Sequence, residues 1–182
     1  PRFVACSTDG TSFFVVTHSG RVLSLECQNK QTRWTADLGQ AVACAAYAPD
    51  GSKLCIATQD GHVLNLEPGT GAVQWDWSTG RSHDILQGIV SSMTFSPNGT
   101  KLAGVTRLPN VALLDATTGS LITELFNMMF IHGPARFTSL AFSPDSSTLA
   151  AAVSDGRVYQ EHLETWTGAE RRFHQEVGAP IN

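Results

Sequence analysis

Phe137-Thr138-Ser139-Leu140-Ala141-Phe142-Ser143-Pro144-Asp145-Ser146-Ser147-Thr148-Leu149-Ala150-Ala151-Ala152-Val153-Ser154-Asp155-Gly156-Arg157-Val158 is the stretch that decides the fold. It reads as strand, tight turn, strand, tight turn, strand, because apolar runs are punctuated by Ser-Pro-Asp and Ser-Asp-Gly. The same pattern stands 47 residues earlier, from Val90 to Gly99. It stands a further 48 residues back, from Val42 to Gly51. A last copy runs from Phe3 to Gly10, with Gly10 lying 41 residues before Gly51.

A period in the forties built only from short strands is the sequence sign of β-propeller blades. No stretch shows apolar periodicity at 3.6 residues, so the expected class is all-β. Four repeats of four strands are expected: blade one over 1–40, blade two over 41–88, blade three over 89–135 and blade four over 136–173. In blade four the outer strand is expected at Glu170-Arg171-Arg172-Phe173, with 174–182 as a linker or the start of a next blade.

Composition narrows the function classes. Hydrophobic residues make up 42% of the 182 residues and charged residues 15%, so the chain can bury a core and is not a disordered segment. The formal net charge of -4 argues against the basic stripe that nucleic acid requires. No apolar run approaches the ~20 residues of a membrane helix. The chain opens on Pro1 with no signal peptide in view, so a processed or trimmed N-terminus is expected. Among Cys6, Cys27, Cys44 and Cys55 there is no C-x-x-C pair, which removes zinc and thioredoxin-like readings. Cys6, Cys44 and Cys55 stand in apolar strand patterns and are expected to be buried and reduced, which favours the cytoplasm.

The turns resemble those of the WD-repeat family. Ala46-Tyr47-Ala48-Pro49-Asp50-Gly51, Thr94-Phe95-Ser96-Pro97-Asn98-Gly99 and Ala141-Phe142-Ser143-Pro144-Asp145 match that family's turn between first and second strands. Leu114-Asp115-Ala116-Thr117-Thr118-Gly119 is similar to its third-strand ending. The family's Gly-His is absent before the first strands, and the literal Trp75-Asp76 lies in a fourth strand, so its His-Asp network is not carried over. A second resemblance is to quinoprotein-type propeller repeats, through Thr70-Gly71-Ala72-Val73-Gln74-Trp75 and, more weakly, Gln31-Thr32-Arg33-Trp34. That resemblance implies tryptophans packed between blades and implies a quinone only remotely; the expected cofactor is none. WD-repeat rings usually hold more than four blades, which implies an incomplete arc of a larger propeller completed by remaining blades of the same chain.

No G-x-S-x-G, P-loop or H-E-x-x-H is present, so no catalytic or metal-ligating residue is assigned. The candidate partner-binding residues lie on the connections between blades. Met128, Met129 and Phe130 offer adaptable apolar contacts; the alternative is that they fill a gap between blades. Trp77, Arg81 and His83 offer hot-spot types; the alternative is a solvated loop. The expected function is a non-enzymatic scaffold that binds other proteins through its loop rim, with no nucleic acid and no membrane. The alternatives are a quinoprotein-like ligand-binding propeller or enzyme, and a structural component of a cytoskeletal or ciliary assembly.

Overall fold

A computed structural model describes residues 1–78, 90–106, 110–126, 136–163 and 175–176. Blade one is the sheet β1 (Phe3–Cys6), β2 (Ser12–Val16), β3 (Arg21–Glu26) and β4 (Thr32–Asp37). Blade two is β5 (Val42–Tyr47), β6 (Leu54–Thr58), β7 (His62–Leu66) and β8 (Val73–Ser78). Blade three is β9 (Ser92–Phe95), β10 (Lys101–Val105), β11 (Val111–Asp115) and β12 (Leu121–Leu125). Blade four is β13 (Phe137–Phe142), β14 (Thr148–Val153), β15 (Val158–His162) and β16 (Gln175–Glu176). Every sheet is antiparallel and follows chain order. The first strands adjoin in the sequence β1, β5, β9, β13, so the four blades fan out as an arc.

The first turn of each blade is built the same way. In blade four the Asp145 carboxylate accepts bonds from the Ser147 N–H at 3.0 Å and from the hydroxyls of Ser147 and Ser143. Asp9, Asp50 and Asn98 make the equivalent contacts. These side chains mimic a backbone turn and reverse the chain without a longer loop.

Among the described residues, three apolar cores lie between blades rather than within them. Phe14, Val16 and Val22 of blade one meet Val42, Leu54, Ile56 and Leu66 of blade two. Cys55, Ala57 and Val63 of blade two meet Phe95, Leu102 and Leu114 of blade three. Val105, Leu113, Leu125 and Phe126 of blade three meet Phe137, Leu149, Val153 and Tyr159 of blade four. Sheet-on-sheet burial of this kind is what drives blades together.

Two expectations change. Cys6 is exposed, because β1 turns alternate residues toward blade two and Cys6 falls on the other face. Cys27 is also exposed, Cys44 half-buried and Cys55 buried, all four as free thiols. The fourth strand of blade four pairs with β15 at Tyr159↔Glu176 and Gln160↔Gln175, inside the segment read as a linker. A longer connection after β15 delays it; Glu170 to Phe173 lie outside the described residues.

Candidate functional site

The arc has two rims. One carries the β1–β2 and β3–β4 turns and their equivalents. The other carries the β2–β3 turn, its equivalents and the 38–41 connection from β4 to β5. Of the sequence candidates, Trp77 is described: it stands in β8, is half-buried and packs against the core between blades two and three. It helps line a void of about 10 Å³ with Val63, Val90, Met93 and Leu102. Arg81, His83, Met128, Met129 and Phe130 lie outside the described residues.

The structure brings together two polar clusters on this rim that the sequence reading missed. At the first, His62 Nδ1 stands 2.8 Å from Asp76 Oδ1 and 3.1 Å from Oδ2. Its Nε2 is 4.0 Å from Asp60 Oδ2. The Thr58 hydroxyl donates to Asp60 at 2.5 Å. At the second, Asn110 Nδ2 donates to Glu124 at 2.9 Å, while the Thr106 hydroxyl donates to Asn110 Oδ1. The Asp60-Gly61 turn and the Trp75-Asp76 pair were both visible, but in sequence they are separate features. The β7–β8 pairing of His62 with Ser78 and Leu64 with Asp76 makes them neighbours. His62 is thus flanked by two carboxylates, and the nearby Thr58 hydroxyl donates to one of them, Asp60.

The first rim is a row of carboxylates. Hydrogen bonds from Ser7 and from Thr11 hold the Asp9 carboxyl down to about 2. Bonds from Ser143 and Ser147 do the same for Asp145, also to about 2. Asp50, Glu67 and Asp115 are lowered by hydrogen bonds within their own turns. Each carboxylate therefore serves its own turn. No group of three or more His, Cys, Asp or Glu side chains among the described residues could hold a metal ion.

The blades lock through tryptophan. The Trp34 ring lies over Gly71, where an added Cβ would come within 2.6 Å of it. Its Nε1–H donates to the Pro68 carbonyl at 2.9 Å. One blade on, Trp75 covers Gly119, with a would-be Cβ at 2.7 Å, and donates to the Ala116 carbonyl at 3.3 Å. Both glycines have positive φ, +76° and +72°, so only the smallest residue satisfies backbone and ring together. The tryptophans that carry the quinoprotein-type resemblance thus pack between blades, as that resemblance implied.

This repeated lock agrees with the family comparison. A sequence profile of the PQQ type, described as outer membrane protein assembly factor BamB, matches residues 3–160. The chain belongs to this family. No curated protein matches it. Among solved structures, BamB from Moraxella catarrhalis superposes with a TM-score of 0.72 at 18% identity, covering 88% of this chain and 45% of that one. The β-propeller domain of Cps50 (Swd1) from Myceliophteria thermophila gives 0.73 at 14% identity, covering 98% of this chain and 57% of that one. At these identities the two structures establish the propeller fold. The chain spans about half the length of each.

Proposed function

We propose that the chain is a non-enzymatic interaction scaffold, an arc of a larger propeller whose second rim holds a protein partner. The observation that carries this reading is the stack of stiff blades, locked by Trp34 over Gly71 and Trp75 over Gly119. In sequence, 79–89 and 127–135 link the fourth strand of one blade to the first of the next and supply the hot-spot residue types. The family description, an assembly factor, supports a protein as the partner. Four free thiols support a reducing, cytoplasmic setting.

The test replaces Met128, Met129 and Phe130 together by alanine. Capture of the partner from native extract should fall at least tenfold, while the denaturant midpoint stays within error of wild type. A variant that melts far below wild type would show these residues to be core and remove them from the site. A second reading, an extracytoplasmic assembly factor, is favoured by the family match alone. Fractionation of native cells with an antibody to the chain separates the two.

A further inference from the structure

Asn98 is the one asparagine of the sequence that is followed by glycine. It sits in the turn between β9 and β10, where blades one, two and four hold Asp9, Asp50 and Asp145. The turn asks for an acceptor oxygen: Asn98 Oδ1 takes the Thr100 N–H at 3.1 Å, as the three carboxylates take theirs. A carboxamide meets that demand no better than a carboxylate, but its chemistry differs. Its carbon is open to attack by the backbone nitrogen of the next residue, which makes asparagine thermolabile. Glycine, with no Cβ, leaves that nitrogen unshielded. Asn98 is exposed, so water reaches the group.

The folded turn opposes the attack. Ring closure needs Asn98 Cβ and Gly99 N nearly eclipsed about the Cα–C bond. Pro97 precedes Asn98, the Gly99 N–H donates to the Ser96 carbonyl at 2.8 Å, and the φ of Asn98 is not positive, which makes a type I turn. The third residue of such a turn has ψ of about 0°, which holds Cβ and the next nitrogen well apart. Three donors fix the carboxamide: the Ser96 hydroxyl at 2.8 Å, the Thr100 hydroxyl at 2.8 Å and the Thr100 N–H.

Both neighbouring blades clamp the backbone. Ser146 Oγ of blade four accepts the Asn98 N–H at 3.2 Å. Gly99 is buried, and the Asp50 carboxylate of blade two lies over it, 3.2 Å from where a Cβ would stand. The clamp lies in the middle of the arc, at the two junctions of blade three.

We propose that Asn98-Gly99 is a self-modifying site gated by this turn, silent while the blades hold it and reactive when it opens. The step is a deamidation. Gly99 N bonds to Asn98 Cγ, the Cγ–Nδ2 bond breaks, and the proton of the attacking nitrogen leaves with the amide as ammonia. Water then opens the succinimide. Cleavage at Cγ gives aspartate on an ordinary backbone, which suits the turn as Asp9, Asp50 and Asp145 do. Cleavage at the backbone carbonyl gives isoaspartate, whose chain runs through Cβ and Cγ. That lengthens the turn, removes the side-chain acceptor for Thr100 and prevents the clamp from re-forming. The site thereby records local opening in the middle of the arc.

The experiment is a time course of the full chain in mildly alkaline buffer, folded and in guanidinium chloride. Mass spectrometry of the peptide carrying residue 98 reads the exchange of amide for acid, and protein isoaspartyl methyltransferase reads the isoaspartate. The unfolded chain should convert at least tenfold faster than the folded one. Thr100→Val with Ser146→Gly removes two anchors and keeps the Asn-Gly pair, and glycine accepts the positive φ at position 146. The folded double variant should convert at least threefold faster than folded wild type. If that variant does not fold, the wild-type comparison decides by itself. Equal rates in folded and unfolded wild type, no conversion in guanidinium chloride, or a folded double variant as slow as wild type would overturn the proposal.

Discussion

At position 71 the backbone needs positive φ and the Trp34 ring needs space, and glycine meets both demands. At position 30 the equivalent turn also has a positive φ, 58°, and carries an exposed lysine. The contrast makes a paired prediction. Gly119→Ala should cost about 1–3 kcal/mol, from strain and from displacing the Trp75 ring, read by urea melts and a red shift of tryptophan emission. Lys30→Gly should change stability by less than about 1 kcal/mol. Ser24 is 1% exposed and its hydroxyl has no hydrogen-bond partner. Ser24→Ala removes a buried polar atom that gains nothing, so the midpoint should hold or rise. The turn carboxylates set an acid limit. Asp9 and Asp145 are held near 2, below their value in an unfolded chain, so their contribution is full above the ordinary carboxylate range and drains away as pH falls toward 2. Replacing both by asparagine should flatten stability against pH between about 4 and 2; an unchanged slope would place the acid sensitivity elsewhere.

Strands report how many blades flank them. In blade two, β6 is buried along its whole length, because blades one and three cover both faces. β2 and β14, in the end blades, alternate between buried and half-buried, because one face is uncovered. Sequence alone separates these cases poorly: Phe13 to Val16 and Leu54 to Ala57 look equally apolar. Equivalent truncations should therefore differ. Ile56→Ala should cost about 2–5 kcal/mol, and Val15→Ala less than about 1 kcal/mol, both read by urea melts. Thiols give an independent readout. Cys27 should label rapidly in the folded chain. Cys44, pushed up to about 12 by burial, and Cys55, raised further by the same cause, should label only on unfolding.

The whole molecule is a row of sheets whose apolar cores all lie at the junctions between neighbours. Each blade is therefore stabilised by its neighbours more than by its own four strands.

The repeat of turn and strand was legible in the sequence because turns are local. Ser143-Pro144-Asp145 and Ser154-Asp155-Gly156 dictate reversals through bonds within a few residues, and β14 forms between them as the pattern of strand and tight turn indicates. The propeller was legible through the WD-like turns, and the matching family only as the second resemblance, through Thr70-Gly71 and Trp75, a spacing a single blade can carry. Tertiary structure decided the rest, since those features join residues far apart. It set Trp34 over Gly71, placed His62 against Asp76 across a hairpin, and turned Cys6 outward from a strand that looked buried. It alone showed which strands are covered on both faces, as β6 is. Burial between blades depends on what stands on the other side of the sheet, and a strand's own residues do not record that.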